Sequence, residues 1–396
     1  MRIAYVCADP GVPIFGSKGC SIHVQEMLRA LRSAGADLSV VAARSGGVTP
    51  PEFGRLRLES GWLAGSRSAA ERERCLLAAN ASVARALARL EPVDLVYERY
   101  ALFAHAGMEY ARRRGVPGLL EVNAPLLEEQ RIHRALVDGA AAQAATRRAF
   151  AAASELRAVS DEVASWLERF PEARGRIRVV PNAVDLQRFR PDVRAEQPDA
   201  RFTVGFVGSL KPWHGVDGLL SAFARLRTAR PRVRLLLVGD GPERGALERR
   251  CAALKLGDAV VFSGAVAPTR IPGLLTSMDV AAAPYPSCDG FYFSPLKLYE
   301  YLAAGLPVVA SRAGEIARSV EHGVDGWLCE PGDVAALQAA LVRLHDDGPL
   351  RARLGREARR RAELRGDWSG GAAAIVARGS AGGAAVVRPV AAAGLG

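Results

Sequence analysis

The sequence predicts an α/β protein built as two doubly wound, Rossmann-like domains whose parallel sheets face each other across a cleft. Three observations predict it. Short apolar runs alternate with amphipathic helical stretches along most of the chain, the pattern of a parallel sheet covered on both faces. The alternation restarts at FTVGFVGS, after the Pro-, Asp- and Arg-rich stretch PNAVDLQRFRPDVRAEQPDA at 181–200. At 396 residues, the chain is too long for one ordinary core.

In the first half, RIAYVCA reads as a strand and DPGVPIFGSKG as a Gly-rich loop. Ser21 then opens a helix, SIHVQEMLRALRSAG, with apolar residues at helical spacing and Gly35 past its end. ADLSVVAA, DLVYERY, GLLEVN, ELRAVS and IRVVPN are buried-type strands, and a long helix is expected over roughly 68–90. In the second half, FTVGFVGS, RLLLVGDG, AVVFSG, DVAAAPY and PVVAS are strands. KPWHG is a loop, and VDGLLSAFARL and the stretch after Pro242 are helices. The expected domains are 1–183 and 184–366, with a disordered Ala- and Gly-rich tail at 381–396.

The net charge of +11 suits anionic partners, but the basic residues are scattered and no nucleic-acid motif is present, so nucleic acid is not an expected partner. A solvated basic surface is the plainer reading. Six cysteines without CxxC spacing or a histidine cluster suggest reduced thiols in the cytoplasm and neither a disulfide framework nor a metal site. The N-terminus is expected to be a strand and not a signal peptide. No apolar run is long enough to span a bilayer, and peripheral membrane contact stays open.

Ligands of such sheets lie beyond the carboxyl ends of the strands. There the stretch FYFSPLKLYEYLAAGLPVVAS stands out. Ser294 is expected as an N-cap and Pro295 as the first helical residue, with the N–H groups of Leu296 and Lys297 pointing out of the helix start. A helix start favours phosphate. Lys297 in the first turn opposes the helix dipole unless an anion sits there. Glu300 is one turn on, suited to the hydroxyl pair of a ribose. Together they suggest a nucleoside diphosphate; a plain Lys297–Glu300 surface pair is the alternative. Lys211 and His214 of KPWHG could meet the same diphosphate from a neighbouring strand end, although a loop histidine is more often just packed. GSKG (16–19) and VGDGP (238–242) match neither GxGxxG nor a Walker loop, yet Gly16 and Gly19 sit where a backbone could approach a phosphate or a sugar.

Six motifs now stand in order: VVPNAVDLQRFRP, FVGSLKPWHGVDGLL, LLLVGDGPERGAL, VFSGAV, MDVAAAPYPS and SPLKLYEYLAAGLPVVAS. With them the chain resembles glycosyltransferase family 4, the retaining nucleotide-sugar transferases of GT-B architecture, in a branch carrying KPWHG and SPLK together. The resemblance implies an acceptor-binding first domain, a donor-binding second domain, and a final helix near 367–380 returning to the first. It implies a nucleotide sugar as donor substrate, UDP-sugar first and GDP- or dTDP-sugar next, with no cofactor and no metal. It places Gly208, Ser209, Ser294, Leu296, Tyr292, Gly264, Val266 and Glu300 at the donor, and Lys211, Lys297 and His214 on the leaving diphosphate. Glu121, Asn123, Arg99 and His105 fall toward the sugar or acceptor; packing is an equal reading for each.

Three departures mark the variant. Where the family often has Glu-x7-Glu, Tyr292 stands eight positions before Glu300, and Asp289 falls three residues away from it. The usual Arg and Lys of the donor loop are Ser209 and His214, with Lys211 a substitute for one of them. Asn123 stands where a His is common. The expected reaction is glycosyl transfer to a hydroxyl on a small molecule, a lipid-linked sugar or a glycan, by front-face displacement without a metal. The alternatives are an inactive GT-B protein that binds a nucleotide sugar and, further off, a nucleotide-sugar epimerase.

Overall fold

The computed structural model describes residues 1–61, 68–133, 135–287 and 290–380. Asp289 and the expected disordered tail at 381–396 lie outside them. Among the described residues there are two all-parallel sheets. The first has seven strands: β1 (Arg2–Cys7), β2 (Asp37–Ala42), β3 (Arg57–Ser60), β4 (Leu95–Arg99), β5 (Gly118–Val122), β6 (Glu155–Ala158) and β7 (Ile177–Val179). Their spatial order is β3-β2-β1-β4-β5-β6-β7. The second has six: β8 (Phe202–Val207), β9 (Val233–Val238), β10 (Val260–Gly264), β11 (Val280–Ala283), β12 (Val308–Ser311) and β13 (Gly326–Cys329), in the order β10-β9-β8-β11-β12-β13.

The alternation of each strand explains the layers. In β1, Ala4 and Val6 enter one core while Ile3, Tyr5 and Cys7 enter the core on the other face. In β9, Val233, Leu235 and Leu237 face one way and Leu236 and Val238 the other. Both faces are buried, so such strands read as unbroken apolar runs. β3 and β13 escaped the sequence reading. Each is a four-residue edge strand, and Arg57 and Glu59 leave β3 no apolar run.

The order reverses between β1 and β4 in the first sheet and between β8 and β11 in the second. Those are the places where strand ends diverge and a ligand can settle. Chain segments cross between the sheets after β7 and again before the last helix, Trp368–Ser380, which packs on helix Gly19–Ser33. The Trp368 ring meets the His23 ring edge-on at 5.1 Å, and Arg378 pairs with Glu155. Arg318 of the second domain reaches Asp161 (3.1 Å) and Glu162 (2.7 Å) at the start of helix Asp161–Leu167. Among the described residues no helix is long and apolar enough to cross a membrane.

Candidate active site

The loops after β8 and β11 meet because those strands are neighbours. Helix Leu296–Ala303 is bolted to the end of β8 by Tyr301, whose hydroxyl accepts from the Val207 N–H at 2.8 Å. One turn earlier on the same face is Lys297. Its ammonium lies 4.0 Å from the Phe206 ring centre and 5.6 Å from that of Tyr285. The side chain is buried, and Nζ has no hydrogen-bond partner. Burial pulls its pKa down to about 7, and Glu300 pushes back. Gly208 borders it: with φ of 143°, a Cβ there would stand 2.7 Å from Nζ. A bare backbone beside an unpaired cation is a place for an anion.

The helix start differs from the expectation. Pro295 is the N-cap, in extended conformation, and Leu296 is the first helical residue. Ser294 does not cap. Its Oγ accepts from the Asn182 N–H (3.1 Å) and shares a hydrogen bond with Tyr299 Oη (3.0 Å). Tyr299 leads on to Glu315 and Arg365, so Ser294 belongs to the joint between the domains. The serine is drawn there because Asn182 also donates to its carbonyl at 2.6 Å. The first helical N–H used within the segment is that of Leu298, on Pro295 O, which leaves those of Leu296 and Lys297 ahead of it.

His214 takes a different part from the cation expected. Its Nδ1 lies 2.5 Å from the Ser209 carbonyl. A carbonyl only accepts, so Nδ1 carries the proton and Nε2 presents a lone pair. Burial, followed by Lys297, pushes the imidazole down to about 3. In the free protein at neutral pH it is uncharged and offers an acceptor, suited to a sugar hydroxyl more than to a phosphate. Lys211 Nζ lies over the Trp213 ring at 5.5 Å, and Ser209 is exposed at the loop tip.

Glu300 is half-buried. Burial pushes its carboxyl up to about 7; Arg188 opposes this, Glu26 adds to it, and Lys297 opposes it. Behind the site, Gly264 ends β10 and its carbonyl accepts from the Gly239 N–H at 3.0 Å. Val266 packs on the same core as the Lys297 helix, and the neighbouring Ser263 Oγ is buried without a partner.

The floor of the first domain corrects three expectations. Glu121 is 3% exposed and fully engaged inside the protein. His23 Nε2 lies 2.8 Å away, Arg99 Nη1 3.2 Å, and Tyr97 Oη donates at 2.5 Å. Although burial pushes the other way, these partners hold the carboxyl well below the usual carboxylate range. Arg99 therefore acts as a clamp of Glu121 inside the first domain. His105 heads helix Ala106–Arg114, where its Nδ1 lies 3.2 Å from Glu109, away from this cluster. Asn123, just past β5, does keep a buried Oδ1 without a partner. The Gly-rich loop is held by Gln25 Nε2, which donates to Ile14 O and Gly16 O at 2.9 Å each. A Cβ on Gly16 would meet Ser21 Oγ at 2.7 Å, whereas Gly19 opens its helix onto empty space.

Tyr292 reaches the first domain. Its hydroxyl donates to Glu129, and its carbonyl accepts from Ser160 Oγ at 2.9 Å. Its side chain spans the domains, a use that a glutamate at this position would not share. The residues missed by sequence reasoning are His23, Glu26, Arg188 and Trp368. His23 and Glu26 lie on an ordinary amphipathic helix and Arg188 in a charged connecting segment, so only their partners reveal them.

Fold and site together define a protein of two Rossmann-like domains with a buried, unpartnered lysine in the second. Comparison with known proteins gives its class. A family profile described as "Glycosyltransferase Family 4" matches residues 17–188, and one described as "Glycosyl transferases group 1" matches 201–347. A D-inositol 3-phosphate glycosyltransferase of Streptomyces avermitilis is 34% identical over 309 residues, 71% of this chain and 64% of that protein. D-inositol 3-phosphate glycosyltransferase 2 of Catenulispora acidiphila is 32% identical over 368 residues, 83% of this chain and 84% of that one. The solved structure of Anabaena HepE in complex with UDP and glucose superposes with a TM-score of 0.71 at 21% identity, covering 96% of this chain and 99% of that one. The chain belongs to glycosyltransferase family 4 and is a glycosyltransferase of GT-B fold.

Proposed function

We propose that the protein transfers a sugar with retention from a nucleoside diphosphate sugar, UDP-sugar first, to a hydroxyl acceptor, without a metal. The observation that carries this reading is Lys297: a buried ammonium with no partner, beside Gly208 and carried on the first turn of helix Leu296–Ala303. A diphosphate would supply the missing negative charge and take the N–H groups of Leu296 and Lys297. As the glycosidic bond breaks, charge grows on the departing phosphate oxygen. A fixed cation and fixed dipoles already aimed there stabilise it, each worth about 3 kcal/mol in the transition state. Glu300 would take the ribose hydroxyls, and His214 Nε2 a hydroxyl of the sugar. The acceptor hydroxyl would attack on the face the diphosphate leaves and pass its proton to the phosphate oxygen. UDP and glucose in HepE, and the names of the inositol-phosphate relatives, support a UDP-sugar donor and a polyol-type acceptor.

The test needs no acceptor, since water attacks slowly in its place. UDP-, GDP- and dTDP-glucose, all α-linked, are incubated with the protein in EDTA and followed by proton NMR. Release of α-glucose before mutarotation, from one donor only, is the expected result. First release of β-glucose would overturn retention, and release only after magnesium is added would overturn metal independence.

A further inference from the structure

Helix Leu296–Ala303 has two working faces. Lys297 lies over Phe206 at the end of β8, and Tyr299, two residues on, falls on the opposite face. Tyr299 is 2% exposed, and the Arg365 guanidinium lies 4.6 Å from its ring centre. Its hydroxyl is fully used, and the partners fix the direction of each hydrogen bond. Arg365 Nη2 can only donate, and it does so to Tyr299 Oη at 3.2 Å. The Glu315 carboxylate only accepts, from Tyr299 Oη at 3.2 Å. The one phenolic proton is thereby spent, so Ser294 Oγ donates to Tyr299 Oη at 3.0 Å. Ser294 Oγ in turn accepts from the Asn182 N–H at 3.1 Å. Burial pushes the Tyr299 hydroxyl up to about 12, so it keeps its proton at neutral pH.

This relay gathers three ties to the first domain. Asn182 stands in the first chain crossing, just after β7. Arg365 ends helix Gly348–Arg365, and Gly366, with φ of 83°, opens the second crossing toward Trp368. Ala183, Val184, Arg365 and Gly366 line one cleft with Tyr299, so the crossings run side by side. Arg318 is the third tie: it reaches Asp161 and Glu162 and also lies 3.2 Å from Glu315. Glu315 is 3% exposed, pairs with Arg365 and accepts from Ser319 Oγ at 2.8 Å.

We propose that Tyr299 is a positioning residue: through its hydroxyl the two chain crossings set the helix start that receives the diphosphate, which couples donor binding to the placing of the domains. The proposal rests on the donor reading of Lys297. Ser294 stands just before the N-cap Pro295, and the N–H groups of Leu296 and Lys297 follow directly. A shift of either crossing reaches Ser294, through Asn182 from one side and through Arg365 and Tyr299 from the other. Hydrogen bonds in series strengthen one another, so the loss of one member weakens the rest. Asn182 and Arg365 should therefore act on nucleotide binding as a unit, although they lie on different crossings.

The experiment is calorimetric titration with UDP, GDP and dTDP at pH 7 in EDTA. The proteins are wild type, Asn182→Ala, Arg365→Gln, the double variant of these, and Tyr299→Phe, which keeps the ring and loses the hydroxyl. Each single variant should weaken binding of the nucleotide that wild type takes by about fivefold. The double variant should also stand at about fivefold, where independent effects would multiply to about 25-fold. Melting temperatures without nucleotide separate this from a merely structural role, in which Tm falls and the folded protein keeps the wild-type affinity. Should Arg365→Gln fail to fold, Asn182→Ala with Tyr299→Phe completes the same cycle. Wild-type affinity in the single variants, or losses that multiply, while wild type binds, overturn this proposal alone. No binding of any of the three nucleotides by wild type overturns the donor reading and this proposal with it.

Discussion

An ammonium between aromatic rings, with no oxygen in reach, costs the free protein stability. Lys297 falls from the ordinary 10.5 to about 7 because burial disfavours its charge. The sign follows from linkage. The unfolded chain holds the proton more tightly, so stability declines as pH drops from 10.5 toward 7, and the full penalty is present below 7. Lys297→Met removes the penalty and keeps a side chain suited to the Phe206 ring. Allowing for the lost cation–π contact, it should stabilise the ligand-free protein at pH 6 by about 1–3 kcal/mol, with the gain shrinking as pH rises above 7 and clearly smaller at pH 9. Denaturant melts at pH 6 and pH 9 check this; equal gains at both, or a loss at pH 6, would count against a charge buried for function. Lys297 stood out in the sequence because a lysine in a helix's first turn opposes the dipole, and the structure buries its ammonium without a partner. The quiet use of Glu121 inside the first domain was not. A glutamate at a strand end looks the same whether it faces a ligand or, as here, His23, Arg99 and Tyr97.

At the scale of elements, the site depends on two loops meeting at a fixed distance. Gly215 ends the 3-10 turn Pro212–His214 with φ of 67°, and a Cβ there would stand 1.7 Å from the Pro284 carbonyl. The loop after β8 thus lies directly on the loop after β11. Gly215→Ala meets both a left-handed strain and a backbone clash, so it should destabilise by about 2 kcal/mol or more and displace His214 from Ser209. A lowered Tm with weakened nucleotide binding is expected; an unchanged Tm would show the loops are not in such contact. The long buried strands and the loops at their ends could be read from apolar runs and Gly and Pro punctuation. The edge strands β3 and β13 could not, since an edge strand of four residues carries little periodic signal. Nor could the position of the cap. Ser294-Pro295 fits a cap and first turn locally, but Asn182 and Tyr299 claim the serine from outside the segment.

Over the whole molecule, the described contacts that join the domains include several polar bridges, which suit opening and closing. Tyr292 reaches Glu129, Arg318 spans Asp161 and Glu162, and Arg188 holds Glu26. Arg318 is part-exposed, so its individual bridges are weak and its effect lies in the balance between open and closed forms. Arg318→Ala should increase the radius of gyration of the free protein in solution scattering and raise the apparent donor KM several-fold at unchanged Tm. An unchanged radius would mean that this bridge does not hold the cleft. The two-domain plan followed from the restart of alternation at FTVGFVGS, whereas no single residue of the sequence announced which side chains cross between the halves. All of these effects converge on one claim: a nucleoside diphosphate fills the space beside Lys297. The most direct measurement is calorimetric binding of UDP, GDP and dTDP at pH 7 in EDTA to wild type and Lys297→Met. Binding of one nucleotide by wild type, weakened at least about 100-fold in the variant, is the predicted result. Equal binding by both proteins, or none by wild type, would contradict it.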